Sequence, residues 1–188
     1  MADQLDFFEP SPAWPEGFKY TNDIITPEEE EALLANIREL PFREFEFHGY
    51  VGKRRTVSFG AEYDFSEEAL RPAGDMPDFL QVLRTTAAVF AGRPADQLKQ
   101  VLVTEYGMQA GIGWHRDKAV FGEVIGISLL STCRFRMRRR IGQKWERVSL
   151  DAAPRSAYLL SGPARTEWEH SIPEVDAPRY SVTYRTLG

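Results

Sequence analysis

At 188 residues, with 43% hydrophobic and 12% aromatic content, the chain is long enough to bury one sizeable core and short for two domains. A formal net charge of −5 argues against a molecule coated in positive potential and leaves room only for local basic patches. Cys133 has no second cysteine to pair with, the acidic first ten residues lack the basic end and apolar run of a secretory leader, and nothing approaches the roughly 20 apolar residues of a membrane span; the expectation is a soluble, cytoplasmic monomer.

Residues 1–17 carry Pro10, Pro12, Pro15 and Gly17 among Phe7, Phe8 and Trp14, and read as an irregular arm wrapped over the core. A short strand is expected over Phe18–Ile25. Thr26-Pro27-Glu28-Glu29 then matches a capping box with proline at the first helical position, in which the Thr hydroxyl accepts from the Glu29 amide and Glu29 reaches back. Leu33, Leu34, Ile37 and Leu40 give the helix an apolar face, and Pro41 ends it. A second helix is expected from about Pro77 to Ala91, with Phe79, Leu80, Leu83, Ala87 and Phe90 inward and Gly92 as its stop. From residue 99 the pattern changes. Lys99–Tyr106, Ile112–Asp117, Val124–Leu130, Arg134–Arg140, Trp145–Leu150, Ser156–Leu160 and Arg179–Thr186 are short, rich in β-branched and aromatic residues, and separated by Gly, Pro or Asp turns. Two early helices and seven late strands predict an α+β domain whose β half is a sandwich or jelly roll, with a mouth suited to a metal and a small ligand.

In an extended segment His115 and Asp117 project to the same face, whereas Trp114 and Arg116 point away. His170 lies far enough along for another strand to return and close a triad of two imidazoles and one carboxylate, the set that holds a non-haem Fe(II) with coordination positions open. The alternative makes both histidines ordinary surface or hydrogen-bonded side chains. In Arg179–Arg185, period-two alternation puts Arg179, Ser181, Thr183 and Arg185 on one face and Tyr180, Val182 and Tyr184 on the other. Such a polar row suits either a polar ligand or the solvated face of an edge strand. The spacing from His170 favours the ligand.

Tyr106, His115-Arg116-Asp117-Lys118, His170 and Arg179-Tyr180-Ser181-Val182-Thr183-Tyr184-Arg185 occur in an order and at spacings that resemble the AlkB-like Fe(II)/2-oxoglutarate-dependent dioxygenases. The Phe18-Lys19-Tyr20 through Ile25-Thr26-Pro27-Glu28 stretch is also similar to the family's entry into its first helix. The resemblance implies one domain across 1–188, α+β, with a double-stranded β-helix (jelly-roll) core, N-terminal helices packed on one side, and a substrate lid at about 45–66. It implies Fe(II), 2-oxoglutarate as co-substrate, and O2, with His115, Asp117 and His170 as metal ligands. Arg179 would clasp the distal carboxylate of 2-oxoglutarate bidentately. Tyr106 would donate its hydroxyl to that co-substrate, and Arg185 would lie near the metal-bound carboxylate end. Thr104 and Ser181 stand where many members carry asparagine, so their shorter side chains would make weaker or water-mediated contacts. Apart from the resemblance, the alternative for Tyr106 is a buried tyrosine anchored by one hydrogen bond. The implied reaction couples decarboxylation of 2-oxoglutarate to hydroxylation of a C–H bond; on an N-methyl carbon the product collapses to formaldehyde and a bare nitrogen.

By the same analogy the substrate is an N-alkylated nucleobase of DNA or RNA, taken from its stack into a pocket. The segment His48–Gly60 falls where the family's lid lies, and Arg54, Arg55 and Phe59, with Tyr63, Phe65 and Lys118, suit phosphate contact and base stacking; a solvated hairpin would look the same. Arg134, Arg136, Arg138 and Arg140 face one way along a strand, which wants an anionic neutraliser, either a nucleic-acid backbone or glutamates of the fold. One departure stands out: Ala119 occupies the place where many base-repair members carry an acidic base contact, so either another group such as Glu123 assumes that role or the substrate differs. A protein or small-molecule substrate, or a vestigial nucleic-acid-binding module, are the competing readings.

Overall fold

The structure, a computed structural model, describes residues 14–47 and 50–188. Most of the expected arm, and His48 and Gly49 of the expected lid, lie outside the described residues. In chain order the elements are β1 (Phe18–Thr21), α1 (Pro27–Ile37), β2 (Arg43–Phe47), β3 (Tyr50–Phe59), β4 (Ala61–Asp64), β5 (Ala69–Pro72), α2 (Asp78–Ala91), β6 (Leu98–Tyr106), β7 (Ile112–His115), β8 (Phe121–Leu129), β9 (Cys133–Ile141), β10 (Lys144–Ala152), β11 (Ala157–Leu160), α3 (Gly162–Thr166), β12 (Glu169–Ile172) and β13 (Arg179–Leu187).

The helices form where their end signals stand. Thr26 Oγ1 accepts from the Glu29 amide at 3.2 Å and the Thr26 amide donates to the Glu29 carboxylate at 2.7 Å, closing the capping box ahead of Pro27. The second helix ends at Gly92, whose left-handed φ of 68° lets its amide reach back to the last carbonyls at no Cβ cost. Two boundaries near the N-terminus move. The first strand stops at Thr21, because Asp23 turns the chain through a left-handed φ of 49°, and α1 stops at Ile37, before Leu40.

All pairings in the two larger sheets are antiparallel. One sheet runs β1-β11-β8-β13-β6-β3-β2 and the other β10-β9-β12-β7, with β4-β5 a separate ribbon. The larger sheet meets a hydrophobic core on each of its faces. Val101, Val103, Ile125, Ile127, Leu129, Val182 and Tyr184 pack against Leu33, Leu34 and Ile37 of α1 and Leu80, Leu83 and Ala87 of α2. Tyr106, Val124 and Leu160 turn the other way, into a second core with Phe135, Met137, Leu150 and Ile172 of the smaller sheet. Period-two alternation thus gives each central strand one face for the helices and one for the space between the sheets.

Strands β2, β3, β4, β5 and β12 were not anticipated. β2 and β3 are dense in charge, and β12 is only four residues long, so neither shows the apolar alternation that marks a strand. β7 ends at His115, which leaves Asp117 in the segment just beyond the strand rather than within it. Among the described residues no helix is long and apolar enough to cross a membrane.

Candidate metal and co-substrate site

Four rows of side chains cross the inner face of the larger sheet, and register sets each row. Arg54, Tyr106 and Arg179 are cross-strand partners on β3, β6 and β13. One step along lie Thr56, Thr104, Ser181 and Ser128; next come Leu102, Thr183, Gly126 and Tyr158; last come Gln100, Arg185 and Val124. The expected polar row of β13 therefore faces inward, and Tyr180, Val182 and Tyr184 face the helices. These rows wall a cavity of about 80 Å³ together with His115, Asp117, Cys133, Phe135 and His170.

His115 and His170 are cross-strand partners on β7 and β12, with ring centroids 4.3 Å apart. With Asp117 they offer three ligand atoms all within 4.8 Å of one another. His170 Nε2 lies 3.6 Å from Asp117 Oδ2. The Gly113 carbonyl, 2.8 Å from His115 Nδ1, accepts the proton of that nitrogen and leaves the Nε2 lone pair for a metal. Burial lowers the pKa of both rings, and that of His170, crowded also by His115, is pushed down to about 3, so both are neutral ligands at neutral pH. Burial alone would raise Asp117, but the Arg185 charge, with the two histidines behind it, holds the carboxyl well below the usual carboxylate range. The donor set fits a divalent metal.

Arg185, buried, donates from Nε and Nη2 to Asp117 Oδ1 at 2.8 and 2.6 Å and from Nη1 to Gln100 at 2.8 Å. It clamps one carboxylate oxygen and leaves Oδ2 turned to His170. The expected contact with the co-substrate's metal-bound carboxylate end is thus, in this structure, a contact with Asp117 itself. Arg179 is only 2% exposed; Nη2 donates to Ser128 Oγ at 2.9 Å, but Nε and Nη1 are buried with no partner. Two orphaned donors on a buried cation are costly unless an anion meets them. They fit the carboxylate of a co-substrate lying in this cavity. Tyr106 lies against the Arg179 guanidinium, 4.7 Å from ring centre to charge, and Thr104 and Ser181 flank it in the hydroxyl row.

The expected substrate residues divide. Arg54 lines the cavity and donates to the Gly111 carbonyl at 3.3 Å. Arg55 and Phe59, one and five residues on, turn to the helix side of the sheet: Arg55 pairs with Glu105 and lies over Phe42, and Phe59 packs on the helical core. Alternation along β3 forbids all three from sharing the triad's face. Lys118 sits 5.2 and 5.4 Å over the Tyr63 and Phe65 rings, and Tyr63 leans on Phe121, so these four gather beside the triad. Glu123 is held by Arg93 through two 2.7 Å hydrogen bonds, which engages the carboxylate expected to replace the one missing at Ala119. Two residues escaped the sequence reading. Arg165 of the five-residue α3 donates to the carbonyls of Lys118, Phe121 and Gly122 at 2.7, 2.7 and 2.8 Å, tying down the segment that follows Asp117. Tyr158 enters the cavity opposite Gly126; a glycine amid Val124, Ile125 and Ile127 was the available signal.

Two histidines, one carboxylate and a buried unmatched guanidinium between two antiparallel sheets define the class of non-haem iron oxygenases that take an acidic co-substrate. The 2OG-Fe(II) oxygenase superfamily model matches residues 17–185, and the chain belongs to that superfamily, in its AlkB-like branch. It is 28% identical over 192 residues to the Alkylated DNA repair protein ALKBH8 homolog of Arabidopsis thaliana, spanning 87% of this chain and 53% of that one. DNA oxidative demethylase ALKBH2 of Bos taurus is 30% identical over 156 residues, spanning 75% of this chain and 55% of the relative. The chain thus spans about half the length of these two relatives. The solved structure of OsALKBH1 shares the fold with a TM-score of 0.68 at 15% identity, over 94% of this chain and 99% of that one. The superfamily uses Fe(II), 2-oxoglutarate and O2, and the His115, Asp117 and His170 set is consistent with iron binding.

Proposed function

We propose that this dioxygenase oxidatively dealkylates N-alkylated bases of DNA or RNA, with residues 1–188 forming one cytoplasmic, monomeric domain built on a double-stranded β-helix. His115, Asp117 and His170 hold the iron, Arg179 takes the distal carboxylate of 2-oxoglutarate, and Tyr106, Thr104 and Ser181 line its path. When bound, the iron and co-substrate supply O2 activation coupled to decarboxylation to succinate and CO2, with hydroxylation of the substrate carbon. The chain's own part is positioning. Arg185 and Arg165 fix Asp117 and the segment after it, the neutral histidines keep their lone pairs for metal, and the apolar wall of Phe135, Val124 and Ile172 excludes water.

The observation that carries the co-substrate is Arg179, buried with Nε and Nη1 unmatched beside the triad. For the substrate the support is of another kind: two similar proteins are named for alkylated-DNA repair and DNA oxidative demethylation, and basic and aromatic groups flank the site. Beside the triad these are Arg54, Lys118, Tyr63 and Phe65. On the outer face of the smaller sheet, Arg136 and Arg138 lie over Trp114 at 5.0 and 4.4 Å, with Trp145 on the other side of Arg138. Asp151 and Glu169 pair with Arg134 and Arg138, so the glutamate-type neutraliser accounts for part of that run and a phosphate backbone for the remainder. Base recognition proceeds without an acid at position 119 and with Glu123 committed to Arg93.

The test is incubation of the iron-loaded protein with 2-oxoglutarate and a panel of N-methylated and etheno-bridged oligonucleotides, reading succinate, formaldehyde and oligonucleotide mass. Mass loss of one alkyl group, matched by succinate and abolished in His115→Ala and Asp117→Ala proteins, is the expected result. Succinate formed without mass change across the whole panel would reject the nucleobase and leave a protein or small-molecule substrate.

A further inference from the structure

Tyr158 lines the cavity, and neither the sequence reading nor the metal and co-substrate assignments give it a role. It stands on β11 beside Gly126 of β8, which in turn pairs with Thr183 of β13. A Cβ built on Gly126 would fall 2.2 Å from Tyr158 Cζ and 2.4 Å from both Cε1 and Oη. The hydroxyl end of the ring therefore occupies the space that a side chain at 126 would fill, and points across β8 towards β13. Phe135 of the opposite sheet covers the other side, with ring centroids 4.5 Å apart. Any residue larger than glycine at 126 would drive the tyrosine out; with glycine there, a phenol lies flat on the sheet between the two cores.

Register fixes what that phenol faces. The row of Tyr158, Gly126 and Thr183 lies between the hydroxyl row of Thr104, Ser181 and Ser128, which borders Arg179, and the row of Arg185, which borders Asp117. A dicarboxylic acid with its far carboxylate on Arg179 and its near end at the triad must pass this row. Tyr158 is half-buried against the second core, and the charges of Asp117, Arg185 and Arg179 all act on its phenol. Burial favours its neutral form, which has a proton to donate.

We propose that Tyr158 is a co-substrate-binding and length-selecting residue: its hydroxyl donates a hydrogen bond to the dicarboxylic acid held by Arg179, and its ring, seated on Gly126, limits the cavity to a short diacid. The proposal rests on the 2-oxoglutarate site described above and adds to it a donor on the side opposite Tyr106.

Calorimetry with Mn(II) in place of Fe(II) tests it without turnover. Tyr158→Phe keeps the ring and removes only the donor. Its Kd for 2-oxoglutarate should rise about tenfold, in line with loss of one hydrogen bond to a charged group, and its melting temperature should match the parent without 2-oxoglutarate but gain less when the acid is added. Tyr158→Leu, which shortens the side chain, should bring 2-oxoadipate closer in affinity to 2-oxoglutarate than in the parent. Gly126→Ala should weaken 2-oxoglutarate binding through displacement of the ring, with little further loss in the double variant with Tyr158→Phe. Equal affinity of the parent and Tyr158→Phe for 2-oxoglutarate overturns the proposal and leaves the co-substrate site standing. No binding of 2-oxoglutarate to the parent overturns both.

Discussion

The same cation type serves two ends of the cavity in opposite states. Arg185 is fully engaged by Asp117 and Gln100, whereas Arg179 keeps two donors unmatched. Removing each should therefore read out differently. Arg179→Lys replaces a planar fork with a point charge and should raise the KM for 2-oxoglutarate roughly 10- to 100-fold, with metal affinity unchanged. Arg185→Met leaves the Asp117 carboxylate buried without its partner, a loss on the order of 3–5 kcal/mol. The metal-free variant should melt lower than the parent, and Mn(II) should restore more stability to it than to the parent, because the ion replaces the missing charge. Equal rescue of both proteins would refute that account. At this scale much was legible. Alternation placed Arg179, Ser181 and Arg185 on one face, and His115 and Asp117 do come together, although Asp117 lies beyond the end of the strand. Arg55 and Phe59 were grouped with Arg54 by their place in the expected lid, whereas alternation along β3 turns them to the other face, and Arg165 lay hidden because its partners are backbone carbonyls, which carry no sequence signal.

Helix boundaries written in side chains were readable, and those written in backbone turns were not. The box at Thr26 and the glycine at 92 marked where α1 begins and α2 ends, whereas the left-handed turn at Asp23 had no glycine to announce it. Thr26→Ala should cost about 1 kcal/mol, a fall of roughly 2–4 °C in melting temperature, with 2-oxoglutarate affinity unaltered. The contact between α2 and the large sheet is more demanding. Tyr184 Oη donates to the Leu80 carbonyl at 2.6 Å, and both residues are fully buried. Leu80→Ala should cost about 2–5 kcal/mol through the cavity it opens, measurable as a drop in the denaturant midpoint. Short strands escaped for the opposite reason to helices. β12 has four residues, three of them polar, and is a strand because β7 and β9 flank it, a non-local fact.

Across the whole molecule, the buried ionisable groups of the site make stability depend on pH in one direction. His115 and His170 have lowered pKa values in the fold, so the unfolded chain binds more protons as pH drops below the ordinary histidine value, and stability falls from about pH 6.5 downwards. Asp117, also depressed, adds stability that is present above the ordinary carboxylate value and lost below it. Both act in the same sense. The metal-free protein should melt lower at pH 5 than at pH 7, and His170→Leu should flatten that difference; an unchanged slope would mean the acid sensitivity lies elsewhere. Charge distribution sets a second global property. Despite the net charge of −5, arginines and tryptophans share the outer face of the smaller sheet. If that face carries phosphate, Arg136→Ala should weaken oligonucleotide binding equally for all sequences and reduce the slope of log K against log salt by about 1.

β7 is the edge of its sheet, aligned with β12 at only two positions, His115 with His170 and Ile112 with Ile172. A metal held between the two imidazoles is therefore a clasp across a sparsely paired edge of the sheet. Withdrawal of the ion should loosen residues 112–117 from the sheet edge, carrying His115 and Asp117 together. Deuterium uptake at those amides should slow markedly on loading with Mn(II) while the β6-β13 ladder stays indifferent. Starvation for metal would then be felt as a frayed hem, a place for proteases to begin, well before the body of the protein loosens.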